Sequence, residues 1–203
     1  MDSYFDKFSY GVNISETKTA NLDTFKRWLS NLSTFIMSES EKHRFFDYLV
    51  EMGYFEKPAS LNHHGKEYGD LFAHSYNVAE TLFYYTMNLG LKWIRPESPM
   101  IVGLFHDLCK VDNYISEGSV SENRRESGFC YNDKQMMKGH GDKSVILLSQ
   151  FMTLTLEEIL CIRYHMGAYE KDDWDGFDRA IRHYPNVLYT HTADMYASKV
   201  IDI

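Results

Sequence analysis

Histidine and aspartate recur inside the apolar stretches of several separate segments of this chain. His74 sits in Leu71-Phe72-Ala73-His74-Ser75, the pair His106-Asp107 in Leu104-Phe105-His106-Asp107-Leu108, His165 in Arg163-Tyr164-His165-Met166, and Asp194 in Thr192-Ala193-Asp194-Met195. His140 adds a further element between Gly139 and Gly141. Burying such groups is costly unless they pair with one another or bind a cation. A His-Asp dipeptide is common by chance, and any one of these histidines would suit an imidazole satisfied inside a core. Taken together, however, four imidazoles and two carboxylates are the donor set that borderline divalent metals prefer. Iron and manganese are favoured, and zinc, cobalt and nickel also fit. The absence of thiolates from the set argues against a structural zinc site.

The elements that must position these residues read as helices, so the fold class expected is all-α. The sequence has only 4 prolines, and long stretches carry apolar residues at helical period, whereas period-2 alternation is scarce. Ser38 and Glu41 have capping-box spacing ahead of Phe45, Phe46, Leu49 and Val50, with Gly53 as the stop. A second helix is predicted over residues 70–88, stopped by Gly90 and carrying His74. A third starts at Ser98-Pro99 and runs to Lys110. Residues 111–138 lose the period and form a long loop with room for a short hairpin. Helical pattern resumes over residues 140–152, and again after Thr155, which pairs with Glu158 as a second capping box before His165. A last helix after Pro185 includes His191, Asp194 and Ala197. Residues 1–37 are the least regular and read as a cap or lid, leaving 38–203 as one helical domain.

The order His74, His106-Asp107, Asp194 resembles that of the HD-domain metal-dependent phosphohydrolases, whose ligands run His, His-Asp and a distant Asp. The six-ligand, binuclear branch inserts two further histidines before the last Asp, and His140 and His165 occupy those places with similar gaps. Lys110 follows the His-Asp pair as in many phosphohydrolase members. Arg163-Tyr164-His165 and Ala193-Asp194 are similar to stretches of bacterial dinucleoside-polyphosphate hydrolases. The likeness covers roughly residues 60–200 and implies a compact HD-domain helical bundle holding two divalent metals per chain. Asp107 would bridge them, with His74, His106 and Asp194 completing one and His140 and His165 holding the other. A bridging water would then act as hydroxide near neutral pH, and the two cations would clamp the phosphoryl oxygens. Lys110 is expected to direct its ammonium at the same phosphate, and Lys143, close to a helix start, to add a second positive charge.

Bulk properties bound the partners. With 21 Lys and Arg against 29 Asp and Glu, a formal charge of −8 argues against polynucleotide binding, which cation clusters drive. No apolar run reaches the length of a membrane span, and residues 1–10 lack the pattern of a signal peptide, so a cytoplasmic protein is expected. Cys109, Cys130 and Cys161 lack CxxC spacing and read as reduced, inert thiols. His63 and His64 lie in a polar segment before the His74 helix, where His64 is a candidate substrate contact at a site entrance. His191, three residues before Asp194, reads as support for the ligands. The mixed-sign stretch 170–175 reads as a solvated loop.

The function expected is hydrolysis of a phosphate ester or anhydride in a small phosphorylated substrate, a nucleotide foremost. Two rivals share the residues. One is a di-iron oxygenase, since the ligand order also resembles the HD-superfamily oxygenases typified by myo-inositol oxygenase. The other is a regulatory module that senses a phosphorylated ligand without turning it over; an intact ligand set weighs against it.

Overall fold

Ser38 and Thr155 begin helices as their spacing predicts. In the computed structural model of the protein, which describes residues 14–61, 66–116, 128–168 and 173–201, each hydroxyl accepts from the N–H three residues on, and Glu41 or Glu158 reaches back to the cap N–H. These bonds satisfy donors that a helix start otherwise leaves open.

The chain divides into two compact units, Met1–Leu32 and Ser33–Ile203. In the first, α1 spans Ile14–Asn31, within the segment that reads as least regular, with the Phe25 and Trp28 ring centroids 5.9 Å apart. Thr17, Thr19, Asn21 and Thr24 have low helix propensity, which is why the segment reads as irregular.

The second unit is built from α2 (Glu39–Glu51), α3 (Asp70–Leu89), α4 (Ser98–Phe105), α5 (Lys110–Asn113), α6 (Gly141–Leu148), α7 (Leu156–Arg163), α8 (Trp174–His183) and α9 (Asn186–Tyr196), the last continuing as a π-helical turn over Ala197–Ile201. A two-stranded antiparallel ribbon, β1 (Tyr114–Ser116) with β2 (Phe129–Tyr131), pairs Ile115 with Cys130 and supplies the hairpin expected in the long loop. Among the described residues the fold is all-α apart from this ribbon. Among the described residues no helix is long and apolar enough to cross a membrane.

Two boundaries differ from expectation. The third helix stops at Phe105 instead of running to Lys110: Leu108, Lys110 and Val111 donate to carbonyls only three residues back, so the chain winds tighter through the His-Asp pair. α8 begins inside the stretch 170–175 that reads as a solvated loop, and its start is set by Asp173, whose carboxylate accepts from Gly176 N–H at 3.0 Å.

Packing brings the ligand-bearing ends together. α3 runs along α4, and α9 packs on both α3 and α7. The α3–α4 approach is close enough that a Cβ on Gly103 would overlap the backbone of Ala79. At the opposite ends, two buried glutamates join the helix starts. Glu157 accepts from Ile94 N–H and from Asn186 Nδ2, both at 2.8 Å. Glu158 takes Arg95 through two bonds of 2.8 and 2.7 Å and Ser98 Oγ at 2.8 Å. With the starts of α4, α7 and α9 tied at one end, their C-terminal ends, where His106, His165 and Asp194 lie, meet at the other. Replacing Glu158 by Ala strands the buried partners of that carboxylate, and a loss of about 3–5 kcal/mol is expected in urea unfolding; a loss within error would mean the network does not hold the helix starts.

Candidate metal centre

Asp107 is the hub. It is 2% exposed and its two oxygens face different histidines. Oδ2 lies 3.4 Å from His106 Nε2 and 3.8 Å from His74 Nε2. Oδ1 lies 2.8 Å from His140 Nε2 and 3.5 Å from His165 Nε2. Asp194 closes the first side: its Oδ1 is 3.0 Å from His74 Nε2 and 3.7 Å from His106 Nε2, and those two Nε2 atoms are 3.3 Å apart. All six side chains singled out as ligands therefore converge on one centre. His74 comes from the second turn of α3, His106 and Asp107 from the tight turn after α4, His140 from just before α6, His165 from just after α7, and Asp194 from α9.

Local backbone geometry aims the rings. His106 Nδ1–H donates to Gly103 O at 2.8 Å and His165 Nδ1–H to Ile162 O at 2.7 Å, which leaves each Nε2 lone pair directed inward. Ligating histidines are held this way. His191 Nδ1–H donates to His165 O at 2.7 Å and steadies that turn from α9, a supporting position as its spacing suggests. His140 is brought beside His165 because Gly141 packs directly on the carbonyls of Ile162 and Arg163, where any Cβ would collide.

The cluster could hold metal ions. Three overlapping groups, His74/His106/Asp194, His106/Asp107/His165 and Asp107/Cys109/His140, each place one donor atom per residue within 4.8 Å of the others. Asp107 Oδ1 and His165 Nε2 are buried without a hydrogen-bond partner, and such atoms are costly to leave so. A divalent cation would satisfy both. Among the described residues of the centre, the His140 and Lys110 side chains are the most exposed, at 25% and 13%.

The other predicted contacts divide. Lys110 reaches the centre, but its Nζ grips Asp107 Oδ2 at 2.5 Å. Lys143 does not reach it. Its side chain is 1% exposed and Nζ is taken by Asp112 Oδ2 at 2.5 Å, Asn113 Oδ1 at 2.8 Å and Gln135 Oε1 at 2.8 Å, so its three donors hold the loop around the ribbon instead of facing a ligand. His63 and His64 lie outside the described residues, as do residues 170–172 of the stretch expected to be solvated. Cys109, which its spacing reads as an inert thiol, lies against His140 and within the same close group of donor atoms as Asp107; its place two residues after Asp107 is the available signal.

Electrostatics follows from the packing. Burial pulls the His106 imidazole down, but Asp107 and Asp194 outweigh it and hold the group up at about 9. Burial raises both carboxyls, yet Lys110, His106 and His140 keep Asp107 well below the ordinary range, and His106 and His74 do the same to Asp194. His165 is lowered, by burial first and then by its cationic neighbours, although Asp107 opposes them. A raised histidine stabilises the metal-free fold fully below its ordinary value of about 6.5 and loses that contribution as pH climbs through about 9; the depressed carboxylates contribute above about 4 and lose it as pH falls. A cation needs the deprotonated imidazole. The gain in Tm from added Mn2+ over EDTA is thus expected to be larger at about pH 8 than at about pH 6; equal gains would show that no His106 proton has to leave.

No protein-family model matches the sequence, and no curated protein or solved structure matches the chain, so the molecule's own geometry defines it as a helical protein with a buried His/Asp cluster that could hold metal.

Proposed function

We propose that the chain is an HD-type, metal-dependent phosphohydrolase that holds two divalent ions and cleaves a phosphate ester or anhydride of a nucleotide or similar small phosphorylated molecule. Asp107 carries this reading: one carboxylate oxygen faces His74 and His106 with Asp194 beside them, the other faces His140 and His165, which is the disposition a bridging ligand needs. The two ions, when bound, supply Lewis acidity toward phosphoryl oxygens and lower the pKa of a water to near neutral.

The protein's own residues do the rest. Asp107 and Asp194 supply negative charge that binds the ions, while Nδ1–H bonds to Gly103 and Ile162 keep His106 and His165 aimed inward. Lys110, whose ammonium pairs with Asp107 Oδ2, would be free to turn toward an anionic substrate on the His140 side once Asp107 held ions instead. There it neutralises charge on the phosphoryl group as the ester or anhydride bond breaks. Burial of His74, His106 and Asp194 confines reaction to the His140 side.

Metal analysis of protein purified without chelator, run beside a phosphate-release screen over nucleotides, cyclic nucleotides and dinucleoside polyphosphates with added iron, manganese, cobalt or nickel, tests this. About two ions per chain with release of phosphate or nucleoside monophosphate is expected. Bound iron with dioxygen consumption and no hydrolysis would give the site to the oxygenase class instead, and tight nucleotide binding without product to a sensing module.

A further inference from the structure

The turn after α4 carries a donor that the six-ligand set does not include. Cys109 follows Asp107 by two residues and is fully buried. Its sulfur, a carboxylate oxygen of Asp107 and a ring nitrogen of His140 all lie within 4.8 Å of one another, and the sulfur is 3.7 Å from His140 Nδ1. Bonds of about 2.3 Å to sulfur and about 2.0 Å to nitrogen or oxygen let one ion span donors about 4 Å apart. The trio needs only a small closure to share an ion.

Three further features point the trio at a cation. Asp107 Oδ1, which faces His140 Nε2 at 2.8 Å, is buried without a hydrogen-bond partner, and such an atom is costly to leave so. The sulfur is also held in place before any ion arrives. Cys109 N–H donates to Ser144 Oγ at 3.0 Å, and its carbonyl accepts from Asp112 N–H at 3.1 Å and Asn113 N–H at 3.0 Å. Ser144 N–H in turn donates to His140 O at 3.0 Å, which ties the backbones of the two donors together. Finally, the donors are unevenly shared. The half of the centre around His74, His106 and Asp194 has four protein donors once Asp107 Oδ2 is counted, whereas the other half has Asp107 Oδ1, His140 and His165. Cys109 supplies a fourth there.

Resting on the two-ion reading above, we propose that the Cys109 sulfur is a ligand of the ion held by Asp107 and His140, so that this half of the centre selects zinc, cobalt or iron over manganese or magnesium. The thiol gives its proton to solvent as the metal–sulfur bond forms. Thiolate is a soft donor and discriminates against manganese and magnesium more strongly than imidazole and carboxylate do.

Anaerobic titration of chelator-treated, full-length protein with Co2+, followed by elemental analysis and absorbance, tests the assignment. The wild type is expected to bind about two ions and to develop an intense near-ultraviolet sulfur-to-cobalt band. Zn2+ should bleach that band at far lower concentration than Mn2+. Cys109→Ser should lose the band and bind its second ion more weakly by over about 10-fold. Circular dichroism in EDTA checks that the variant folds, and the wild-type spectrum decides the matter even where it does not. Two cobalt ions bound without the band would overturn the sulfur ligand and leave the two-ion reading intact. A band that persists in Cys109→Ser would belong to Cys130 or Cys161 and would overturn the proposal as well. One band-bearing ion per chain would instead overturn the two-ion reading and keep the ligand.

Discussion

Asp107→Ala is expected to lower bound divalent metal from about two ions per chain to near none and to abolish phosphate release. The carboxylate is shared, so its loss cannot be confined to one half of the centre: Oδ1 serves His140 and His165 while Oδ2 serves His106 and His74. The drop in affinity should exceed the roughly 10- to 100-fold that follows loss of an outer partner of a ligand. Lys110 also loses its counter-ion at 2.5 Å, and a charge stranded in a largely buried place costs about 3–5 kcal/mol unless it finds water. Asp107→Asn separates the two effects by keeping shape while removing charge. Metal content by elemental analysis and Tm in EDTA give the two readouts. Two ions retained in Asp107→Ala would remove Asp107 from the centre.

Lys110→Ala has the second-largest expected effect, and its signature is a split between binding and rate. Hydrolysis should fall about 100- to 1,000-fold, the usual consequence of deleting one preorganised charge-stabilising group. Metal affinity should hold or rise. The reason lies in the geometry of the metal-free centre, where the ammonium occupies Asp107 Oδ2 and burial of Lys110 is outweighed by that carboxylate, which raises its pKa. A cation binding there must displace it, so removing the lysine removes a competitor. Metal content and kcat measured on the same preparation decide the matter. Loss of metal would make Lys110 a structural counter-ion, and an unchanged rate would deny it any contact with the phosphoryl group.

Much of this protein is legible in its sequence because the signals are local. A hydroxyl three residues before a glutamate specifies a helix start at Ser38 and Thr155 whatever lies around it, and Gly90 ends α3 through a left-handed backbone at φ 67°. The helical period places His74 and Asp194 on buried faces, and the rule that buried imidazoles and carboxylates need partners or a cation marks the same six side chains that the structure brings together. Where charge and cap residues imitate a loop, the reading falls short: the acidic residues around the Asp173 cap hide the start of α8, and threonines mask the length of α1.

Which atoms meet was decided by tertiary packing. The sequence order of the ligands does not say that Asp107 lies between the histidines with one oxygen toward each set, because that depends on the α3–α4 approach at Gly103 and on Gly141 seated against the end of α7. Nor does composition distinguish Lys110 from Lys143. Each follows a ligand by three residues, yet the tight turn after α4 folds Lys110 back onto Asp107, while the first turn of α6 carries Lys143 to Asp112, Asn113 and Gln135. The same packing sets Cys109, which reads as an inert thiol, against His140 and Asp107. Residue type and spacing could name the donors of this centre; only contacts between segments far apart in the chain could choose the nitrogen, the oxygen and the supporting atom that each presents.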